Sequence, residues 1–104
     1  MERRVLLDTI KRLLQAVHGD RLRGVVLYGS EARGTASPES DIDILVLLDQ
    51  VEDYGRDLRA NIDALYDLST KIGRRISAKP VSATEYETID CPLYRNAHRE
   101  GIAA

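Results

Sequence analysis

Two aspartates, Asp41 and Asp43, stand at the beginning of the most apolar stretch of the chain, Ile44–Leu48, and no other feature constrains the fold as strongly. Side chains at positions i and i+2 of a strand point to the same face. A strand over 41–48 therefore places both carboxylates on one face, roughly 7 Å apart along the strand, and directs Ile42 and Ile44 into the core. Because aspartate is depleted in strands, the pair indicates either a compensating role or two solvated residues at a strand edge.

The compensating role that this spacing favours is metal binding by Asp41 and Asp43. Two carboxylates near an apolar core repel each other, so one takes up a proton unless a cation lies between them. Mg²⁺ fits such a pair, because it accepts one or two carboxylates and completes its coordination with water and substrate phosphates. A second ion nearby would complete a clamp for in-line displacement at phosphorus.

A glycine–serine turn precedes the aspartates. Gly29 and Ser30 follow a short apolar stretch, Leu22–Tyr28, at a point where the backbone must turn and can approach a ligand closely. Backbone N–H groups at a strand-to-helix turn bind anions, and Arg33 adds a positive charge if it faces the site. The alternative is an ordinary turn in which Ser30 caps a short helix.

The apolar spacing predicts an α/β fold with a small sheet, in the order helix, strand, strand, helix, strand, helix, helix. Pro80 indicates that the third strand lies at an edge or ends there. The long helix is expected to bury one face, formed by Leu58, Ile62, Leu65, Tyr66, Ser69 and Ile72. The elements run from about Glu2 to His18, Leu22 to Tyr28, Asp41 to Leu48, about Tyr54 to Gly73, Arg75 to Val81, Ser82 onward, and Pro92 to Gly101.

Composition predicts one compact α/β domain over residues 1–104. Hydrophobic residues make up 43% of the 104 residues, and the formal net charge is −2, which argues against generic affinity for nucleic acid. Cys91 is the only cysteine, so no internal disulfide can form, as expected for a cytoplasmic protein. No stretch is long enough to span a bilayer, and the apolar run at the N-terminus is too short for a signal peptide.

The combined pattern of Gly29-Ser30, Ala32-Arg33-Gly34 and Ser40-Asp41-Ile42-Asp43 with its aliphatic run resembles the nucleotidyltransferase superfamily. More narrowly, it is similar to the minimal nucleotidyltransferase (MNT) proteins. The resemblance implies a mixed β-sheet flanked by helices. It also implies nucleotide binding by Gly29, Ser30, Arg33 and Ser40, with Asp41 and Asp43 as catalytic ligands of Mg²⁺.

For function, the same resemblance implies transfer of AMP from ATP to a protein hydroxyl. Minimal members are paired with helical HEPN partners that are RNase toxins, and the MNT protein is the antitoxin. A HEPN partner, ATP as substrate, and a homodimer within a hetero-oligomer are therefore expected. No membrane and no direct nucleic acid partner are expected.

The third strand departs from the family pattern. Active family members carry a third carboxylate there, whereas residues 75–81 offer Ser77 and Lys79 but no aspartate or glutamate. Lys79 either supplies a positive charge in place of a metal ion or repels Mg²⁺. Two further functions stay open: an antitoxin that neutralises its partner by binding alone, and a subunit that binds ATP without turnover.

Other polar and aromatic residues are assigned structural or surface roles. His18 and His98 are expected to cap helix ends or lie in solvent. Tyr54 and Tyr66 are expected to pack along the long helix. A basic cluster around the third strand faces a triphosphate, an acidic or RNA-bearing partner, or solvent; its members are Lys71, Arg74, Arg75 and Lys79.

Overall fold

The computed structural model describes all 104 residues and has the predicted order of elements, with a short helix between the first two strands and a fourth strand added. The helices are α1 (Arg3–His18), α2 (Gly29–Arg33), α3 (Tyr54–Ile72), α4 (Ala83–Thr88) and α5 (Pro92–Glu100), and the strands are β1 (Leu22–Tyr28), β2 (Ile42–Leu48), β3 (Ile76–Ser82) and β4 (Ile102–Ala103). None of the helices is both long and apolar enough to cross a membrane.

The four strands form one mixed sheet in the order β3-β2-β1-β4. β2 is antiparallel to β1 and parallel to β3, and the two-residue β4 adds to the free side of β1. The predicted α/β class with a small mixed sheet is confirmed. Sequence analysis missed β4 because a strand this short carries no periodicity of its own.

The outer edge of β3 is closed to a further strand. The Ile42 N–H donates to the Arg75 carbonyl (2.9 Å), so the backbone groups of Arg75 point toward β2. Because these groups alternate along a strand, the backbone N–H and carbonyl groups of residues 76, 78 and 80 point away from β2, to the open edge of the sheet. Pro80 has no N–H, and the Ala78 carbonyl accepts a hydrogen bond from Asn61 Nδ2 (3.0 Å). The edge position predicted from Pro80 is therefore confirmed, and α3 covers part of that edge.

Helices cover both faces of the sheet. α1 and α3 pack on one face, where Ile42 and Ile44 are fully buried, as predicted. α4 and α5 pack on the other face around Leu45. The first core contains Leu6, Leu7, Ile10, Leu14, Val25, Leu27, Ile42, Ile44, Val46, Leu48, Leu65, Leu68 and Ala78, and the second contains Val26, Leu45, Val81, Tyr86 and Ala97.

The predicted buried face of α3 is partly wrong. Leu65 is buried, but Ile62 is 50% exposed, and Tyr54 and Tyr66, which were expected to pack, are 49% and 64% exposed. The inward face instead continues through Asp57 and Asn61, at spacings of four residues that also define one side of a helix. The buried face predicted from the apolar residues alone is therefore rotated about the helix axis relative to the observed buried face.

Both inward polar residues of α3 have partners, as buried polar groups require. Arg21 binds the Asp57 carboxylate with two hydrogen bonds of 3.0 Å each. His18 Nε2 and Asn61 Oδ1 form a buried hydrogen bond of 2.6 Å. His18 is 7% exposed, so the expectation that it caps a helix end or lies in solvent is wrong. His98 is exposed in the last turn of α5, as expected, although its ring stacks on Tyr86.

Candidate active site

The glycine–serine turn lies directly against the second aspartate. Tyr28, the last residue of β1, pairs with Asp43 of β2, so Gly29 begins the turn beside that carboxylate. Gly29 has a φ of +75°, which only glycine adopts readily, and a Cβ at this position would lie 2.8 Å from Asp43 Oδ2. The two halves of the sequence motif therefore meet in space, and glycine is required where they touch.

The two aspartates differ in exposure but interact. β2 begins at Ile42, one residue later than predicted, so Asp41 is an exposed residue just ahead of the strand and Asp43 is half-buried within it. Burial raises the pKa of Asp43, and the negative charge of Asp41 raises it further. Because both effects disfavour the ionised form of Asp43, a cation bound to the pair would relieve them.

Positive charge reaches Asp43 from two elements. Lys79 of β3 and Arg33 of α2 both lower the pKa of Asp43, against the larger effect of burial. Arg33 also forms an ion pair with Glu100 at the end of α5 (3.2 Å), which ties α2 to the C-terminal helix. Arg33 therefore lies near the carboxylates, although part of its charge is already neutralised.

Ser30 and Ser40 are placed differently around the turn. The Ser30 carbonyl accepts a hydrogen bond from the Thr35 N–H (3.0 Å), which closes the turn after α2. Ser40 Oγ accepts a hydrogen bond from the Ser37 N–H (3.0 Å), and its carbonyl accepts one from Arg74 Nε (3.0 Å). Ser40 thus shapes the loop that leads into Asp41.

The neighbouring strand brings no third carboxylate to this face. Ser77 of β3 is the register partner of Asp43, and Lys79 is the partner of Leu45, so both point to the side of the sheet on which Asp43 lies. No group of three or more histidine, cysteine, aspartate or glutamate side chains is arranged so that it could hold a metal ion. The donors suit a single Mg²⁺ that keeps water and phosphate ligands, because Mg²⁺ needs only one or two carboxylates from the protein.

Sequence analysis missed Tyr28 as a residue of the site. Tyr28 and Asp43 are cross-strand partners on one face, and burial followed by the charge of Asp43 raises the pKa of the Tyr28 hydroxyl. The signal was available, since Tyr28 immediately precedes Gly29 on an antiparallel strand. Tyr28 forms an aromatic wall beside the carboxylate.

A groove lies along the edge of the sheet, between α3 and β3. It has a volume of about 470 Å³ and runs between α3 and β3, with the exposed apolar residues Tyr54, Ile62 and Tyr66 on one side and Ser77 and Lys79 on the other. Neither Asp41 nor Asp43 lines this groove, although Ser77 and Lys79 line it and point to the side of the sheet that carries Asp43.

These features define a class of protein. The sequence profile of the nucleotidyltransferase domain family matches residues 6–103, which is nearly the whole chain. The chain therefore belongs to the nucleotidyltransferase domain family.

Individual relatives agree with this assignment. The chain is 35% identical over 89 residues to "Putative protein adenylyltransferase MJ0604" of Methanocaldococcus jannaschii, covering 85% of this chain and 83% of that protein. A crystal structure of a toxin–antitoxin with AMP-PNP has a TM-score of 0.67 at 22% identity, over 92% of this chain and 69% of the other. A structure of tri-AMPylated Shewanella oneidensis HEPN toxin in complex with MNT antitoxin has a TM-score of 0.64 at 18% identity, over 98% and 71% of the two chains. At these identities the two structures show a shared fold.

Proposed function

We propose that this protein is a Mg²⁺-dependent nucleotidyltransferase that transfers AMP from ATP to a hydroxyl group of a partner protein. The observation that carries the proposal is the contact between the turn and the carboxylate, where a Cβ at Gly29 would lie 2.8 Å from Asp43 Oδ2. Catalysis at a nucleoside triphosphate needs a phosphate-binding turn and metal-binding carboxylates within reach of each other. Family membership supports the same reaction class.

Each site residue has a role in this proposal. The backbone of Gly29 and Ser30 binds triphosphate oxygens, with Arg33 and Ser40 on either side. Asp41 and Asp43 hold Mg²⁺, which supplies charge neutralisation on the triphosphate. The acceptor oxygen forms a bond to the α-phosphorus while the bond from that phosphorus to pyrophosphate breaks. β3 carries no carboxylate to accept the hydroxyl proton, and in this proposal the proton passes to water.

We further propose that the acceptor is a HEPN-type toxin and that this chain is its cytoplasmic antitoxin, acting in a hetero-complex built on a homodimer. The support is the similarity in fold to an MNT antitoxin in complex with an AMPylated HEPN toxin, together with similarity to a named protein adenylyltransferase. This domain is too small to enclose a protein acceptor, so the acceptor must dock on its surface. In this proposal the toxin is therefore modified within the complex that it forms with this chain.

A second candidate function is neutralisation by binding without AMP transfer. The observation that favours it is the replacement of the expected third carboxylate by Ser77 and Lys79 on the face that carries Asp43. Without that carboxylate, one metal ligand and one candidate base for the attacking hydroxyl are missing.

One experiment separates the two functions. A HEPN-type candidate partner is incubated with this protein, ATP and Mg²⁺, and the intact mass of the partner is measured. AMP transfer adds the mass of one or more AMP groups, and Asp41→Asn or Asp43→Asn abolishes the addition. Asp63→Asn, an exposed aspartate on α3, is the matched control and keeps the activity. Neutralisation of the partner that survives Asp43→Asn with no added mass would establish binding alone.

A further inference from the structure

We infer that Arg74 is a positioning residue that holds the phosphate-binding turn and the metal-binding strand at a fixed separation; the inference rests on the proposed function of this site. Arg74 Nη2 pairs with Glu31 Oε1 in α2. Arg74 Nε donates to the Ser40 carbonyl (3.0 Å). One guanidinium therefore contacts both segments of the site, and the three residues Glu31, Arg74 and Ser40 are called the Arg74 bridge.

The two partners of Arg74 are each next to a site residue. Glu31 directly follows Ser30, and Ser40 directly precedes Asp41. Between these partners the chain leaves α2 at Gly34 and crosses a segment without helix or strand before β2 begins. The Arg74 bridge is thus a direct side-chain connection between the turn and the first aspartate.

The backbone of Arg74 is itself firmly placed at the end of α3. Gly73 adopts a left-handed conformation (φ +69°) that ends the helix, and the Arg74 N–H donates to the Ser69 carbonyl (3.2 Å). Ser69 Oγ donates to the Arg74 carbonyl (2.6 Å). Because α3 packs on the core through Leu65 and Leu68, the guanidinium extends from a rigid element.

Burial makes this ion pair more consequential than the others near the site. The side chains of Arg74 and Glu31 are 17% and 19% exposed, whereas Arg33 and Glu100 are 48% and 28% exposed. Arg74 Nη2 and Glu31 Oε1 are buried and form no hydrogen bond, so the ion pair between them is their only polar contact. Removing either group leaves the other charge uncompensated, which is the costly case for a buried pair. The planar fork of arginine also suits two separate acceptors.

The Arg74 bridge should affect ligands according to how much of the site they span. MgATP contacts the turn through its phosphates and the aspartates through the metal, so its binding depends on the distance between the two segments. Tripolyphosphate in the presence of a chelator contacts the turn alone. A displacement of about 1 Å in a preorganised site costs up to about a hundredfold in rate. Loss of the Arg74 bridge should therefore weaken the binding of MgATP more than the binding of metal-free tripolyphosphate.

The test uses Arg74→Met, which keeps an unbranched apolar side chain but removes the guanidinium, and Glu31→Gln, which removes the ion pair but leaves the bond to Ser40. Arg75→Met is the control, because Arg75 is exposed and forms no ion pair. Calorimetry measures binding of MgATP and of metal-free tripolyphosphate. Amide hydrogen exchange of residues 29–35 is measured in the free protein, and thermal unfolding shows that each variant is folded.

We expect Arg74→Met to weaken MgATP binding by about tenfold or more and tripolyphosphate binding by less than about threefold. Exchange over residues 29–35 should accelerate, and adding Glu31→Gln to Arg74→Met should change little, because both act on one contact. Arg75→Met should match the wild type. Equal weakening of both ligands, or unchanged exchange, would overturn the inference. If the wild type does not bind MgATP, the proposed function fails, and the exchange measurement alone decides whether the bridge holds the turn.

Discussion

A Cβ atom at Gly29 would lie 2.8 Å from Oδ2 of Asp43, closer than a carbon and a carboxylate oxygen approach in a folded protein. Gly29 also has a φ of +75°, which disfavours any L-residue with a side chain. Gly34, at the other end of α2, has a φ of +76° but would meet nothing within 4 Å. The two glycines therefore share one backbone requirement, and only Gly29 adds a contact with the candidate metal site.

This difference predicts the outcome of a matched pair of alanine substitutions. Gly29→Ala and Gly34→Ala should each lower the free energy of unfolding by about 1 kcal/mol, because alanine is strained at positive φ. Gly29→Ala alone should also displace the Asp43 carboxylate and weaken Mg²⁺-dependent ATP binding by about tenfold or more. Chemical denaturation and calorimetry measure the two effects. Equal ATP binding by both variants would show that the contact with Asp43 has no role in the site.

The raised pKa of Asp43 predicts a pH-dependent gain in stability on its removal. The folded protein binds the carboxyl proton of Asp43 more tightly than the unfolded chain does. Above the folded-state pKa the ionised carboxylate therefore lowers the free energy of unfolding. This penalty disappears when the pH falls below the pKa of Asp43 in the unfolded chain. Asp43→Asn should therefore raise the melting temperature at neutral pH in the absence of metal. The gain should fade as the pH falls to about 4, near the ordinary carboxylate pKa. A lower melting temperature at neutral pH would contradict the desolvation of Asp43.

Asp57 predicts the opposite pH dependence in the same fold. The hydrogen bonds from Arg21 hold the pKa of this buried carboxyl below its ordinary range, so its contribution to stability is present at neutral pH and lost as the pH falls through the folded-state value. Asp57→Asn should cost about 2 kcal/mol at neutral pH, and less in acid. Asp49→Asn is the control, since Asp49 is 3.5 Å from the same arginine and 39% exposed. Denaturant unfolding at several pH values measures both.

Much of the fold could be predicted because the signals are local. The strands over Leu22–Tyr28 and Ile42–Leu48 and the ends of the long helices follow from apolar runs, glycine and proline. The two-residue β4 could not be predicted, because its pairing with Val26 and Leu27 depends on where α5 packs. The inward face of α3 failed for another reason: its polar members, Asp57 and Asn61, are compensated by Arg21, His18 and Ala78, which are distant in sequence.

Part of the geometry of the candidate site could also be predicted from the sequence. Strand alternation and the position of Gly29 after β1 were enough to bring the turn to Asp43. The ion pair of Arg33 with Glu100 joins residues 67 positions apart, and no local pattern indicates it. Arg74 was interpreted only as part of a basic cluster. Its burial and its ion pair with Glu31 depend on the tertiary structure and cannot be read from the sequence.

The corrected face of α3 predicts contrasting effects at neighbouring apolar residues. Leu65 is 2% exposed in the main core, so Leu65→Ala should cost about 3 kcal/mol through lost contacts and a cavity. Ile62 is 50% exposed beside the groove, so Ile62→Ala should cost less than about 1 kcal/mol. Urea unfolding measures both variants. Similar costs would mean that Ile62 faces the core, as the apolar spacing alone suggested.

The register of β3 predicts that a third carboxylate can be restored. Ser77 pairs with Asp43 on an adjacent parallel strand, where side chains of paired residues share a face, so Ser77→Asp places a carboxylate next to the existing pair. Without metal, the added charge should raise the pKa of Asp43 further and lower stability at neutral pH, because like charges disfavour ionisation. With Mg²⁺ or Mn²⁺, the same charge becomes a ligand, and thermal shift titrations should show binding about tenfold tighter than in the neutral control Ser77→Asn. If AMP transfer is limited by the missing ligand, Ser77→Asp should also accelerate it. No difference in metal affinity between the aspartate and asparagine variants would mean that Ser77 lies outside the reach of an ion held by Asp41 and Asp43.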